Sequence, residues 1–391
     1  MTSIPSGTSI GKYEASELRD NDKTRFDGMG VTQTVGYIND LLGPKLVGVY
    51  PSKILDIDHW LIHSDGTKNK SRLGGNTCLT ISQLVAKAAA KEQNLPLFLY
   101  INYIYKQLFK SEIKIEKIPS PIFNVIDGGM HANNNLDIQE FQFIPSSSYS
   151  YTKAYRMGVE FFHELRKVLA YRNAVIAVSE EGGYSPNLTT NFDALEILVE
   201  TAAQKKYQIG VDVFLGLDIA ASHFHKEDFY IIKDRAHPLK TADYIDYLKD
   251  LLKRYSPLIL EDPIDEDDWT SWRKLSSMVS QETYLVGDDL LTTNKERLER
   301  AIKEKACSTI LIKPNQIGTI TETLEVIDIA RKNNFNYIIS HRSGETNDYF
   351  IADFAVAVQS DFVKFGAPSR GERVAKYNRL WEIEREELKN V

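Results

Sequence analysis

Six short apolar runs in this chain each end on an ionisable residue. VFLGLD ends on Asp218, LILE on Glu261, TYLVGD on Asp288, STILIK on Lys313, NYIISH on His341 and DFVK on Lys364. Three carboxylates brought to one place repel unless a cation lies between them. A donor set made only of oxygens suits a hard dication such as magnesium. A lysine beside such an ion loses part of its preference for the charged form and can act as a base near neutral pH. The plain alternative for Lys313 or Lys364 is a salt bridge to one of these acids. In SHRSGET, Arg342 and Ser343 follow His341 directly. A planar guanidinium next to a hydroxyl is a good grip for an oxyanion or a phosphate.

These side chains can meet only if the backbone brings the run ends together. Longer stretches with helical spacing separate the runs, and short buried strands alternating with helices imply parallel βαβ units in a closed or doubly wound sheet. In a β/α barrel the carboxyl ends of the strands line the mouth, so the six residues would ring one pocket. Two earlier segments extend the pattern. PIFNVIDGGMHANNN reads as a strand over 122–126, a Gly128-Gly129 turn and a loop bearing His131, a residue type that is more often structural than catalytic. DIQEFQFIP reads as a strand containing Gln139 and Glu140, and an acid inside an apolar run needs a partner. In SEEGGYSPN the adjacent Glu180 and Glu181 read as solvated loop acids unless their surroundings say otherwise.

The first third has a different character. PSGTSIG is a Gly/Ser/Pro loop, either a frayed terminus or a lid able to carry a hydroxyl to a ligand. KYEASELRDNDKTRF reads as charged surface. Val31, Val35, Ile38 and Leu42 recur at helical spacing until Gly43-Pro44, where the helix is expected to stop. Further helices are expected over 52–63, 77–93 and up to about Phe109. The charged, proline-terminated SEIKIEKIP marks a boundary, giving domains over 1–110 and 111–391. With 391 residues, 42% hydrophobic and 26% charged, the chain has a globular composition and room for two domains. A net charge of −7 argues against nucleic acid as a partner. No apolar run is long enough to span a bilayer, no signal peptide is visible, and Cys78 and Cys307 read as buried reduced thiols of a cytoplasmic protein.

Taken together, PSGTSIG, EASELRDND, DGTKNKSRLG, NVIDGGMHANNN, DIQEF, EEGGYSPN, GLDIAAS, LEDPIDEDDW, VGDDLLTTN, ILIKPNQIGT, SHRSGET and VKFGAPSRGERVAKYN make the chain resemble the enolases, in family order across nearly its whole length. The resemblance implies an α/β fold, with a C-terminal β/α barrel behind a smaller, mostly helical α+β domain. It implies reversible dehydration of 2-phosphoglycerate to phosphoenolpyruvate in glycolysis, with two Mg2+ per site. Asp218, Glu261 and Asp288 would hold the tighter ion, and Ser9 on the lid would help hold the second. Lys313 would be the base, and Glu181, helped by Glu140, the acid. His131, Gln139, His341, Arg342, Ser343 and Lys364 would bind substrate. It further implies a homodimer or higher homo-oligomer and a cytoplasmic location, with surface or secreted forms as the family also has.

The sequence departs from the family pattern in places. Family members carry roughly thirty more residues before the lid, enough for a few short strands. Without them the first domain is expected to keep its helices, lose most of its sheet, and expose apolar surface and part of the dimerisation surface. Ile10, Glu180, Ile219, His223 and Phe365 stand where the family usually has other residues. They motivate an alternative, a paralogue acting on a related phosphorylated or phosphonate acid. A non-catalytic surface-binding protein is a third reading.

Overall fold

The computed structural model of the chain describes residues 1–8 and 11–388. Four helices dominate the first 110 residues: α1 (residues 32–46), α2 (Ile54–Asp65), α3 (Gly75–Glu92) and α4 (Leu97–Phe109). Among the described residues of this part there is no strand, only an isolated bridge from Ser6 to Gly344. The expected stop at Gly43-Pro44 does not occur. Residues 37–42 widen into a π turn, and Pro44, which has no N–H, falls in the first turn of the next helical segment, where no donor is needed. Leu42 packs with Ile57, Leu61, Leu73, Cys78 and Ile81, whereas Val31 and Val35 are exposed. Phe26, Val47 and Tyr50 also lie exposed nearby.

The second part is a closed barrel of eight strands: β1 (Ser120–Asp127), β2 (Glu140–Pro145), β3 (Val213–Asp218), β4 (Ile259–Glu261), β5 (Tyr284–Gly287), β6 (Thr309–Ile312), β7 (Asn336–Ser340) and β8 (Phe362–Lys364). Neighbours in sequence are neighbours in the barrel, and β8 closes on β1. The strand runs recognised in the sequence therefore end where they were expected to, within one residue. β2 is the exception to the parallel pattern and runs antiparallel to both β1 and β3. Residues 128–139 join β1 to β2 through one 3-10 turn, Gly129–His131, with no crossover α-helix, and the chain returns antiparallel.

Strand pleating decides what fills the barrel. Ile122, Ile144, Ile259, Val286, Leu311, Ile338 and Phe362 form one apolar cluster inside it, with Phe214 packed beside them. Side chains two residues apart share a face. Two residues toward the mouth from that layer, the inward positions are Asn124, Gln142, Gly216, Glu261, Asp288, Lys313, Ser340 and Lys364. One step beyond, on the adjacent β2 and β3, lie Glu140 and Asp218. An apolar floor and a polar chamber above it thus follow from alternation alone. Gly216 has room for no side chain, because a Cβ there would collide with Gln142 Oε1.

Helices wrap the barrel. They include α5 (Tyr151–Tyr171), α6 (Asn191–Gln204), α7 (Thr241–Tyr255), α8 (Trp269–Ser276), α9 (Lys295–Glu304), α10 (Ile320–Lys332), α11 (Phe350–Val358) and α12 (Gly371–Glu382). Asn294 caps α9 by accepting from Arg297 N, and Thr319 caps α10 by accepting from Glu322 N, so the loops after Asp288 and Lys313 have fixed ends. The two parts are tied together at α10, where Asp58 of α2 accepts from both the N–H (3.0 Å) and the hydroxyl (2.7 Å) of Thr321.

Two expectations follow. A Cβ at Gly158 of α5 would overlap the Phe123 ring, which is fully buried on β1 next to Asn124. Gly158→Ala should therefore lower the unfolding free energy by about 1–3 kcal/mol in urea titration, and an unchanged midpoint would contradict the close approach. Burial pushes the Asp58 carboxyl up to about 6 from 3.8, against the hydrogen bonds from Thr321. The native state then binds this proton more tightly than the unfolded chain, and the contribution is lost as pH rises through that window. Between pH 3.8 and about 6, Asp58→Asn should gain on the wild type by about 3 kcal/mol, read from denaturation curves at several pH values.

Candidate active site

The mouth of the barrel is lined by Glu14, His131, Gln139, Glu140, Glu181, Asp218, Asp288, Lys313, His341, Arg342, Ser343 and Lys364, among others. Nearly every residue singled out in the sequence is present. Ser9 lies outside the described residues, as does Ile10.

Register places the acids side by side. Glu140 on β2 pairs with Asp218 on β3, and Asp218 pairs with Glu261 on β4. The Lys364 ammonium, 2% exposed, sits 2.9 Å from a carboxylate oxygen of each. Both readings of Lys364, strand-end site residue and salt-bridge partner, hold at once. One ammonium facing three carboxylates leaves negative charge over. Burial, with Asp218 beside it, pushes Glu261 well above its ordinary value in spite of Lys364. Glu140 is likewise pushed well up by burial and by Glu181, with Lys364 opposing. The cluster must hold protons or bind a further cation.

Asp288 continues the row at the end of β5. Oxygens of Glu261, Asp262 and Asp288 all lie within 4.8 Å of one another. Asp262 is the brace. Its carboxylate accepts from the N–H groups of Asp288 (3.1 Å) and Asp289 (2.6 Å), and its backbone is held at φ +38°. A non-glycine residue rarely adopts that conformation, and here it occurs where the Asp262 carboxylate meets the backbone that follows β5. The donor set is oxygen throughout and buried, which fits a hard dication.

Lys313 makes a short ion pair with the other oxygen edge of Asp288, whose second oxygen accepts from Gln316 Nε2 (3.2 Å). Burial pulls the Lys313 ammonium down, but Asp288 outweighs it and holds the group above its ordinary value. In this arrangement Lys313 is charged. The weakened preference expected of it requires a cation to occupy Asp288.

Across the chamber stand Glu181 and His341. The loop after α5 turns Glu181 inward to 2% exposure, while Glu180 stays exposed, so the solvated-loop reading fails for one of the two acids. Glu181 Oε2 lies 3.3 Å from His341 Nε2 and 3.6 Å from His131 Nδ1, and it accepts from Asn124 Nδ2 (3.1 Å). Burial works against its ionisation, yet His131, the His341 N–H and Arg373 together hold it well below the ordinary carboxylate range. His131 Nδ1 is also 3.6 Å from Glu140. Two buried carboxyls with oxygens within 4.8 Å are thus pushed in opposite directions and share protons as one unit.

At the rim, Arg342 pairs with Glu14 (2.7 and 3.2 Å) and donates to Asn315 (3.2 Å), while the Ser343 hydroxyl accepts from Thr8 N (2.7 Å). Gln139 donates weakly to Asp218 at 3.4 Å. Glu14, Asp127, Asp262, Asp289 and Arg373 escaped the sequence reading. Asp127 ends an apolar run as the recognised acids do, and Asp262 and Asp289 directly follow two of them, so those three carried a signal. Glu14 sits in a stretch read as charged surface, yet its side chain is 5% exposed.

Residues 1–101 match the enolase N-terminal domain, and residues 115–391 match the enolase C-terminal TIM barrel domain. The chain is 43% identical to the enolase of Ehrlichia canis (strain Jake) and 44% identical to that of Ehrlichia ruminantium (strain Welgevonden). Each match runs over 383 residues, 98% of this chain and 88% of the relative. A ring of strand-end acids and lysines over an apolar floor, two matched domains in order and this identity along nearly the whole length lead to one conclusion: the chain belongs to the enolase family, the phosphopyruvate hydratases.

Proposed function

We propose that this chain catalyses the reversible, magnesium-dependent dehydration of 2-phosphoglycerate to phosphoenolpyruvate, the glycolytic reaction, in the cytoplasm. The observation that carries this reading is the opposition of two chemistries in one chamber. Lys313 stands beside a row of buried acids, and the Glu181–Glu140 pair stands across from it.

Asp218, Glu261 and Asp288 would hold one ion, with Ser9 contributing to a second. Bound magnesium would supply positive charge against the substrate carboxylate and occupy Asp288, leaving Lys313 without its ion-pair partner. Lys313 then takes the proton alpha to the carboxylate. That proton is only weakly acidic, because its loss adds negative charge next to an existing one. Lys364, fixed in advance by three carboxylates, faces that developing charge without having to reorganise. Hydroxide is a poor leaving group, so the Glu181–Glu140 pair delivers a proton to it, oriented by His131 and His341. Arg342 and Ser343 would bind the phosphate, and for Arg342 this means exchanging Glu14 for it.

The motive for a different phosphorylated or phosphonate substrate weakens at Phe365. This residue is fully buried against Tyr377 and does not line the chamber. Among the described residues no helix is long and apolar enough to cross a membrane. The proposal includes a homodimer or larger homo-oligomer, which light scattering tests.

With 2-phosphoglycerate and Mg2+, phosphoenolpyruvate should form. Lys313→Ala should lower kcat roughly 10²–10⁴-fold while the protein stays folded. Chelation should stop turnover, and restored Mg2+ should return it. Added Mg2+ should also raise the Tm without substrate, because an ion that binds only the folded chain stabilises it. A folded, magnesium-saturated sample with no turnover would sink this reading.

A further inference from the structure

Arg373 of α12 is wholly buried, yet it belongs to none of the groups assigned above. Its Nη1 lies 2.6 Å from His341 Nδ1 and 2.6 Å from the Arg342 carbonyl. Its Nη2 lies 2.6 Å from the Ser343 carbonyl and 3.1 Å from the Glu180 carbonyl. One side chain therefore ties together the loop carrying His341, Arg342 and Ser343 and the loop carrying Glu181. The approach depends on Gly366, held at φ +84°. A Cβ there would sit 2.9 Å from His341 Cε1 and 3.1 Å from Arg373 Cδ.

A guanidinium can only donate hydrogen bonds. Nδ1 of His341 must accept from it, so that nitrogen carries no proton. The only N–H of the ring is then on Nε2, which points at Glu181 Oε2, 3.3 Å away. We infer that Arg373 is a positioning residue: it locks His341 as the neutral Nε2–H tautomer, so that the imidazole always offers a hydrogen to Glu181 and never takes one from it. Lys364, though on the neighbouring strand, puts its ammonium on Glu140, Asp218 and Glu261, so it does not take the place of Arg373 at Nδ1. The low proton affinity of His341, pushed down to about 3 by burial against the pull of Glu181, agrees with that geometry. The catalytic consequence rests on the proposed acid role of Glu181, whereas the tautomer itself does not.

The test uses the full-length chain labelled with ¹⁵N-histidine, with the His341 signals assigned by their loss in His341→Asn. The wild type should show an unprotonated Nδ1 and a protonated Nε2 at neutral pH, with or without Mg2+. An Nδ1–H tautomer or an imidazolium would overturn the inference without any variant having to fold. Arg373→Lys keeps a donor near Nδ1. It should keep the tautomer, with kcat within about tenfold of wild type. Arg373→Met should lose the fixed tautomer and lower kcat about 10²-fold, with KM within about threefold. If instead KM rises as kcat falls and the tautomer is unchanged, Arg373 merely braces the Arg342–Ser343 backbone, and the inference is wrong. Should the wild type show the tautomer but turn over no 2-phosphoglycerate, the functional reading fails and the placement of Arg373 stands.

Discussion

A single buried ammonium holds this structure's chemistry together. Lys364 brings its charge to within 2.9 Å of Glu140, Asp218 and Glu261. At an effective dielectric near 20, each such contact is worth about 6 kcal/mol before desolvation is counted. Removing four charged groups from water costs several kcal/mol apiece, so the cluster adds little to net stability. Its value is geometric. Three acids from three adjacent strands are held converging on one point, still short of positive charge. That shortage is what makes the mouth of the barrel a place for a dication.

Much of this was readable in the sequence because strand pleating obeys a period of two. Once the floor residues Ile259, Val286, Leu311, Ile338 and Phe362 are taken as inward, Glu261, Asp288, Lys313, Ser340 and Lys364 must be inward too. No knowledge of distant contacts is required. Asp127 closes its run in the same way but lies an odd number of residues from Ile122, so alternation alone points it outward; the irregularity between Asn124 and Ile126 intervenes. The parallel pattern was overstated only at β2, which runs antiparallel to both neighbours and has no crossover α-helix behind it.

What stayed hidden depends on contacts far apart in the chain. Nothing local distinguishes Glu14 from its charged neighbours, and its partners include Arg342 and Gln316, each about three hundred residues later. Arg373 lies on an amphipathic helix, where an arginine ordinarily reads as solvated. The helical spacing of Val31 and Val35 did not translate into burial: Val31 sits just before the helix and both side chains are exposed. Periodicity states that a face exists and leaves open what covers it. Glu181 is the converse case, an acid whose loop composition suggests water and whose backbone turns it away.

The layer of branched side chains across the barrel also fixes how traffic must run. With Ile122, Ile144, Ile259, Val286, Leu311, Ile338 and Phe362 sealing one end, the chamber is a blind well. Whatever enters must back out through the same opening, past Glu14 and the segment around it. Release of a small neutral molecule and release of a bulky anion therefore compete for one exit. The rim is therefore a shared passage, whatever holds each molecule in the well below it.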